Sequence, residues 1–450
     1  MSHRDRVARA LASAFLAGEW NAAGLRARAE RVFDLDATWL ELPIAAALSA
    51  FPEPPRDARD SLARLLVPLL DDARLLLAPP VLPRVRRWLV DEPASGARRW
   101  PVPRLATSSE LATWLGVTSS QLDWFADPRG TAARSTRPTL QHYRYAWIAK
   151  SRGGHRLLEI PRSRLKAMQR KILTEILDVI PPHDAVHGFR RGRSALGHAT
   201  QHAGRAVVIR MDLEEFFPST PTGRVYGLFR AAGYPETVAR LLTWLTTHRT
   251  PPAALRDMPR GNQPASDGSH ALEASERWRS LRRLASRHLP QGAPTSPALA
   301  NLCAFRLDRR LESLAVHAGA RYSRYADDLA FSGDEPFAHG AARLVERAHA
   351  VIVDEGYRPN TRKTRVMRTG SRQELMGLSI NVRPNVARTD YDQLKAVLTN
   401  CVRHGPSTQN RDAHEQFRAH LEGRAAWISF VNPLRGPRLH ALLAAIDWSR

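Results

Sequence analysis

The chain has 450 residues, of which 67 are Lys or Arg and 44 are Asp or Glu, so its formal net charge is +23. This length favours two to four folding units over one, and the charge favours a nucleic-acid partner, with an Arg-rich genome composition as the alternative source of the charge. Cys303 and Cys401 are the two cysteines, and their separation argues against a disulfide framework or a zinc module and suits a reducing cytosol.

The first part of the chain has a helical pattern. Residues 1–105 carry Ala, Leu and Arg at helical spacing, interrupted by proline-rich pieces such as residues 51–55, and predict a helical N-terminal extension. Residues 106–140 contain two helix starts and predict a short helical connector. No apolar stretch near the start is long enough for a signal peptide or a membrane span. We therefore expect a cytoplasmic protein with no membrane partner.

Strand patterns begin at Tyr143. Residues 143–148 alternate like a strand, and residues 152–155 provide a hairpin turn before a second strand at residues 156–160. A helix is expected after Pro161. Residues 206–212 then predict a buried strand that ends on Asp212. That acid is the first residue that indicates chemistry.

The second half alternates between helices and short strands. Residues 250–286 are polar and rich in Pro and Gly, and predict a surface insertion with one short helix. Beyond it we expect a long helix over about 337–354, and short strands near residues 365–367 and 378–381. The last part of the chain has a helical pattern again.

The segment Tyr325-Ala326-Asp327-Asp328 has the pattern of a β-hairpin with two carboxylates at its tip. Adjacent side chains in a strand point to opposite faces, so a turn is needed to bring both acids to one site. Clustered carboxylates repel one another unless divalent cations bind between them, and Mg²⁺ takes oxygen ligands. The pair alone also fits a solvated turn, and the surrounding sequence decides between the two interpretations.

Several sequence blocks on both sides of this segment occur in the order found in one family. Over roughly residues 140–435 the chain resembles the reverse transcriptase family, and within it the bacterial retron-type enzymes. The resemblance implies an α+β right-hand polymerase with fingers and palm over 141–385, a polar insertion near 250–287 and a helical thumb over 386–450. It also implies a catalytic site that holds two Mg²⁺ ions, for which Mn²⁺ can substitute. The ligands implied are the carboxylates of Asp212, Asp327 and Asp328 and the carbonyl of Leu213.

The resemblance also implies a nucleotide pocket. Residues 211–219 resemble the first catalytic block, in which Phe217 lies under the incoming sugar and excludes a 2′-hydroxyl. Residues 289–297 resemble the loop whose Gln291 and Gly292 contact the incoming nucleotide and its template base, with a helix starting near Ser296. The implied substrates are deoxynucleoside triphosphates.

Two basic segments match family elements that bind the triphosphate. Residues 150–156 resemble the fingers hairpin that clamps the phosphates with Arg156 and Lys150. Residues 360–364 resemble a later block that makes Lys363 a candidate general acid for pyrophosphate, with a template-phosphate contact as the alternative.

Further basic residues are implied to contact nucleic acid. Residues 187–194 would place Arg190, Arg191 and Arg193 along the template or primer. Residues 418–428 resemble the thumb helix that follows the product duplex, with Arg424 facing the backbone and Trp427 in the core. Phosphate contacts of this kind predict that affinity falls with salt.

The function implied is RNA-directed DNA synthesis. A retron would copy its own structured noncoding RNA, which serves as template and primer, into RNA-linked DNA, form an RNA–DNA duplex, and act with an effector protein in antiviral defence. Two blocks depart from the retron pattern: His198 replaces the expected Asn, and residues 375–377 replace Val-Thr-Gly. The alternatives are another defence-associated or abortive-infection-type reverse transcriptase, protein-primed or untemplated, or a non-catalytic RNA-binding scaffold.

Overall fold

The computed structural model describes residues 2–17, 19–33, 37–53, 55, 58–74, 82–86, 99–128, 130–135, 137–150, 154–259 and 269–449. The chain divides into two compact units, of which the first comprises Met1–Ala126 with Phe229–Thr243 and the second Asp127–Leu228 with Trp244–Arg450. Both helices and sheets are present, as the α+β prediction requires. Within these described ranges, no helix is long and apolar enough to cross a bilayer.

The first unit is helical in its N-terminal part. Its helices there are α1 His3–Leu16, α2 Ala22–Glu30, α3 Glu41–Ala50, α4 Ala58–Arg74, α5 Ser108–Leu115 and α6 Ser119–Ala126. A capping box of Ser2 and Asp5 satisfies backbone donors at the start of α1. The apolar faces of α1 to α4 form one core, in which Phe15, Trp39 and Leu66 are fully buried. The helical spacing of the sequence is explained by this shared core.

The remaining helices and the strands follow in chain order. The helices are α7 Thr131–Arg134, α8 Ser163–Ile172, α9 Ala195–Gln201, α10 Phe216–Ser219, α11 Thr222–Ala231, α12 Glu236–Thr246, α13 Pro252–Arg256, α14 Ser269–Ala285, α15 Ser296–Cys303, α16 Phe305–His317, α17 Glu335–Asp354, α18 Arg388–His404, α19 Phe417–Val431 and α20 Gly436–Ala444. The strands are β1 Tyr143–Ala149, β2 His155–Pro161, β3 Val207–Asp212, β4 Arg321–Tyr325, β5 Asp328–Gly333, β6 Arg365–Arg368, β7 Glu374–Leu375, β8 Leu378–Ser379 and β9 Asn385–Val386.

A four-stranded antiparallel sheet forms the centre of the second unit, with strand order β4-β5-β3-β6. β3 is an inner strand, and five of its six residues are buried, which explains its nearly continuous apolar sequence. Helix α17 packs against β3. The strand predicted before Asp212 and the long helix predicted near residues 337–354 are both confirmed. The sheet brings the end of β3 to the β4–β5 turn.

Two smaller sheets flank this centre in the sequence. β1 and β2 pair from Tyr143 with Pro161 to Ala149 with His155, so the predicted hairpin is confirmed, while residues 151–153 of its turn lie outside the described residues. β7, β8 and β9 form a three-stranded sheet. This sheet shares a buried apolar cluster with α18, α19 and α20, which includes Leu378, Leu394 and Leu421. The helical pattern predicted for the C-terminal part is therefore also confirmed.

The insertion near residues 250–287 differs from the prediction of one short helix. The structure has the short helix α13 and, after residues 260–268, which lie outside the described residues, the 17-residue helix α14. The sequence of α14 is rich in Ala, Leu, Arg and Glu, all strong helix formers. Side chains of this helix also bond to neighbouring segments, since Arg277 donates to the Met258 carbonyl and Arg283 to the Glu215 carboxylate.

Candidate active site

The three predicted acids meet at the end of the central sheet. Asp212 is the last residue of β3, and its Cα partner in the register is Asp328, the first residue of β5. Asp327 lies in the two-residue turn between β4 and β5, and its carbonyl accepts a 3.0 Å hydrogen bond from the backbone N–H of Leu213. Ala326, the other turn residue, has a φ of 55°. The turn puts Asp327 and Asp328 close enough to Asp212 for the charges of the acids to interact, and their role as a shared site stays a prediction.

Basic side chains accompany two of the acids. Lys363 Nζ lies 2.8 Å from Asp212 Oδ1, and Asn360 Nδ2 donates to Asp212 Oδ2 at 3.2 Å. On the other side, the guanidinium of Arg210 forms an ion pair with Asp328 at 2.7 Å. Asp212 is only 4% exposed, so its charge depends on these partners. Lys363 therefore contacts one of the predicted metal ligands directly.

The carboxyl of Asp327 has an unusual environment. Burial, together with the neighbouring charges of Asp212 and Asp328, raises the pKa of Asp327 to about 6. Burial also raises the pKa of Asp328, against the opposing effect of Arg210. A cation bound here would favour the charged forms of both carboxyls, against burial and against the repulsion between the acids.

The donor chemistry fits a hard divalent cation. Asp212, Asp327 and Asp328 supply carboxylate oxygens, and the Leu213 backbone runs beside them. No set of three or more His, Cys, Asp and Glu side chains is already arranged as a metal site within the part of the chain that the structure describes. Two of the carboxylates instead form ion pairs, Asp212 with Lys363 and Asp328 with Arg210.

A buried arginine supports the turn from beneath. Arg324 is fully buried, and its Nε and NH2 groups bind the carboxylate of Asp308, also fully buried, at 2.7 and 2.6 Å. Its NH1 group donates to the Ala326 carbonyl and to Asn301 Oδ1, both at 2.9 Å. The planar guanidinium thus satisfies several acceptors at once. Arg324 links helices α15 and α16 to the turn that carries the acids.

A second segment packs tightly against the same turn. The backbone N–H of His187 donates to the Arg324 carbonyl at 2.8 Å, and Asn301 Nδ2 donates to the Gly188 carbonyl at 2.9 Å. A Cβ atom on Gly188 would lie 2.4 Å from the backbone nitrogen of Ala326. Only glycine allows this approach, so the backbone itself selects the residue at position 188.

Phe217, the residue predicted to contact the incoming sugar, follows Asp212 closely in the sequence. Phe217 is half-buried in α10, and its ring centroid is 5.9 Å from those of Phe216 and Phe189. Phe216 is buried, whereas Phe189 is 54% exposed. Phe217 therefore has one neighbour in the core and one at the surface, and its role at the incoming sugar stays a prediction.

The predicted nucleotide loop is fixed to strand β2. The backbone N–H of Glu159 donates to the Gln291 carbonyl at 2.8 Å, and a Cβ on Gly292, whose φ is 130°, would lie 2.9 Å from the Glu159 carbonyl oxygen. The fully buried carboxylate of Glu159 binds His288 Nε2 at 2.8 Å. Helix α15 begins at Ser296, as predicted. The loop that contains Gln291 is thus bonded to Glu159 of β2 twice, through its own backbone and through His288, which directly precedes it.

The predicted phosphate-binding side chains of the hairpin are exposed. Lys150 follows β1 and Arg156 lies on β2, and in the described residues neither forms an ion pair with the acids. The structure therefore brings Lys363 to the acids, but not Lys150 or Arg156.

The predicted nucleic-acid contacts lie on other elements. Arg190 bonds to the His183 carbonyl and to Asp184, and Arg193 lies 3.5 Å from His187 Nε2. The other two predicted contacts are Arg191, which is exposed, and Arg424, which is half-buried on α19.

The prediction that Trp427 is in the core is wrong. It is 38% exposed on α19, beside the 55% exposed Phe430. The helical period places Trp427 beside the buried face of α19. At such a position sequence spacing alone does not show whether a side chain is buried in the core or lies at its exposed edge.

Sequence reasoning missed the residues that hold the acids in place. These are Arg210, Asn301, Asp308, Arg324 and Asn360. Arg324 directly precedes the Tyr-Ala-Asp-Asp segment, and Arg210 stands two residues before Asp212. For Arg210 the available signal was a charged residue inside an apolar strand, because a buried charge requires a partner.

Comparisons with known proteins show which sequences this chain resembles. Residues 148–382 match the family described as reverse transcriptase (RNA-dependent DNA polymerase). The chain is 36% identical to the Retron Mx65 reverse transcriptase of Myxococcus xanthus over 341 residues, which cover 76% of this chain and 72% of that protein. It is 35% identical to the Retron Mx162 reverse transcriptase of the same organism, over 78% of this chain and 69% of that protein. The Retron Ec86 reverse transcriptase of Escherichia coli is 28% identical, over 60% and 69% respectively.

Proposed function

Because the chain belongs to the reverse transcriptase family, as an RNA-directed DNA polymerase of the retron group, we propose that it adds deoxynucleotides by a two-metal mechanism at Asp212, Asp327 and Asp328. The family uses divalent metal ions and an RNA template. The observation that carries the proposal is that Asp212, at the end of β3, lies beside the turn of Asp327 and Asp328, where burial and then the charges of the two other acids raise the pKa of Asp327 to about 6. Such a cluster favours a bound cation.

Asp212, Asp327, Asp328 and the Leu213 carbonyl would hold two Mg²⁺ ions. When bound, the ions would supply activation of the primer 3′-hydroxyl and stabilisation of the leaving pyrophosphate. The 3′-hydroxyl would give its proton to solvent water, its oxygen would bond to the α-phosphorus, and the bond from that phosphorus to the pyrophosphate oxygen would break. Lys363, which lies 2.8 Å from Asp212, is close enough to the acids to give a proton to the leaving group. Arg324 and Arg210 keep the turn and Asp328 in place.

The other predicted residues would bind the nucleotide. Arg156 and Lys150, both exposed at the hairpin, would pair with the triphosphate. Gln291 and Gly292 lie in a loop that is bonded to β2, so closure of the hairpin on a nucleotide would act on this loop as well. Phe217 would exclude a ribose 2′-hydroxyl by its ring. A Phe217→Val variant should therefore incorporate ribonucleotides more readily than the parent protein.

We further propose that the template is a structured noncoding RNA that also primes synthesis, and that the product is RNA-linked DNA used with an effector protein in antiviral defence. Arg190, Arg191, Arg193 and Arg424 would contact this RNA or the RNA–DNA duplex through phosphates. Sequencing of the nucleic acid that copurifies with the protein tests this proposal. DNA joined to one recurring RNA is expected, whereas DNA joined to protein, or DNA of untemplated sequence, would contradict it.

Primer extension on an RNA template tests the catalytic proposal. Asp327→Asn removes one charge with almost no change in shape, and we expect it to abolish extension. Asp334→Asn is the matched control, because Asp334 follows the same hairpin but is 66% exposed. Full activity of the Asp327 variant would refute the metal site, and inactivity of the parent protein with every primer would favour an RNA-binding scaffold.

A further inference from the structure

The outward face of helix α14 carries an exposed aromatic side chain paired with an arginine. Trp278 is 61% exposed, and the guanidinium carbon of Arg282 lies 5.3 Å from its ring centroid. The two residues are four positions apart, so they are neighbours on one helix face. Arg282 is itself exposed, and the rest of the indole ring remains accessible.

Polar contacts on the opposite face fix how this helix is rotated. Ser280 and Arg283 both donate to the carboxylate of Glu215, the latter at 2.7 Å. Near its middle, the helix is bonded through Arg277 to the carbonyls of Met258 and Pro259, and Glu276 pairs with Arg362 at 3.1 Å. These contacts fix the helix in one rotation, with Trp278 and Arg282 on its exposed side before any ligand arrives, which lowers the entropic cost of binding.

The same contacts tie the helix to the catalytic centre. Glu215 stands three residues after Asp212 in the sequence, and Arg362 directly precedes Lys363, which bonds to Asp212. The exposed pair therefore lies on a helix whose inner side is bonded to the segments that carry the active site.

We propose that Trp278 and Arg282 form a stacking platform for an unpaired base of single-stranded RNA. Flat rings and guanidinium planes stack on exposed bases, and arginine adds attraction to the phosphates. Arg279 and Arg282 add positive charge to the helix, while the charge of Glu276 is balanced by Arg362. A base-stacking ligand uses both the flat ring and the charge, whereas an apolar protein partner would use only the first. The platform adds a contact for RNA to the proposed polymerase function.

Equilibrium binding of a fluorescein-labelled oligoadenylate RNA tests the platform. The measurement is made without deoxynucleotides and at raised salt, which screens the general attraction of the basic chain. Trp278→Leu keeps an apolar side chain but removes the flat ring, and we expect it to weaken binding about tenfold. Trp278→Phe keeps a ring and should weaken binding less than about threefold, and Arg282→Ala should weaken it more than Arg282→Lys.

Control variants and a control ligand distinguish stacking from general attraction to a basic surface. Trp124→Leu changes an exposed tryptophan of α6, and Arg347→Ala changes an exposed arginine of α17, and both should bind the oligoadenylate like the parent protein. A blunt RNA duplex has no unpaired base, so Trp278→Leu should not weaken its binding. Unchanged oligoadenylate binding by Trp278→Leu would overturn the platform and would favour a protein partner for this face. An equal loss of affinity of this variant for oligoadenylate and for duplex RNA would also overturn it.

The outcome is independent of catalysis. If the parent protein extends primers but Trp278→Leu binds oligoadenylate normally, the platform fails and the proposed polymerase mechanism stands. If the parent protein extends no primer but binding still requires the ring of Trp278, the mechanism fails and the platform stands.

Discussion

Replacement of Arg324 by Met should destabilise the second unit and disable the active site. Arg324 and Asp308 are both fully buried, with contacts of 2.6 and 2.7 Å. Removal of the arginine leaves the Asp308 charge buried with no cation, which costs about 3–5 kcal/mol. The Ala326 carbonyl and Asn301 lose a donor in the same step. Thermal unfolding and primer extension measure the two effects separately.

Two further variants separate stability from positioning. Arg324→Met combined with Asp308→Leu removes the unpaired charge and should recover much of the lost stability, because an apolar pair can replace a buried ion pair. It should stay inactive, since no donor holds the Ala326 carbonyl. Arg324→Lys keeps a charge but cannot bind three acceptors in one plane, so it should be more stable than Arg324→Met and still extend primers slowly.

An exposed ion pair provides the control. Arg388 lies 3.5 Å from Asp392 on α18, with side chains 88% and 53% exposed, so Arg388→Met should change the free energy of unfolding by about 1 kcal/mol or less. The reasoning would be refuted if Arg324→Met melted like the parent protein. Wild-type extension by the double variant would show that the bond to the Ala326 carbonyl is unnecessary.

Three other perturbations have defined outcomes. Gly188→Ala places a methyl group 2.4 Å from the Ala326 nitrogen and should cost about 1–3 kcal/mol and most activity, whereas Gly227→Ala, which meets nothing within 4 Å, should be harmless in both assays. Burial lowers the pKa of His202 to about 3, so below about pH 6.5 the unfolded chain takes up a proton at this residue and the folded chain does not. The free energy of unfolding should therefore fall as the pH is lowered from 7 to 5, and it should fall less steeply in His202→Gln. An equal dependence of the melting temperature on pH in the two proteins would contradict this. Lys363→Met removes the cation that is paired with the carboxylate of Asp212. Because Lys363 and Mg²⁺ would compete for this carboxylate, half-saturation of primer extension should require less Mg²⁺ in the variant, while the maximal rate falls. A higher Mg²⁺ requirement would argue against this competition.

The positions of the main strands could be predicted from local sequence, whereas the three acids were singled out by the resemblance of the surrounding blocks to a family. The apolar run before Asp212 predicts a buried strand, and the Asp327-Asp328 pair predicts a turn, because both patterns depend on residues adjacent in the chain. The hairpin at residues 143–160 and helix α17 were predicted for the same reason. The long helix α14 was not, because the Pro- and Gly-containing residues before it led to the interpretation of the whole segment as a polar insertion.

The sequence by itself determined which residue types could hold a metal, bind phosphate or exclude a 2′-hydroxyl, since these capacities belong to the side chains. The tertiary structure alone decided how the acids are held. Arg324 and Asp308 are 16 residues apart, and Lys363 and Asp212 are 151 apart. Partners at such separations have no fixed spacing in a sequence, and burial makes the pairs obligatory only after the chain has folded.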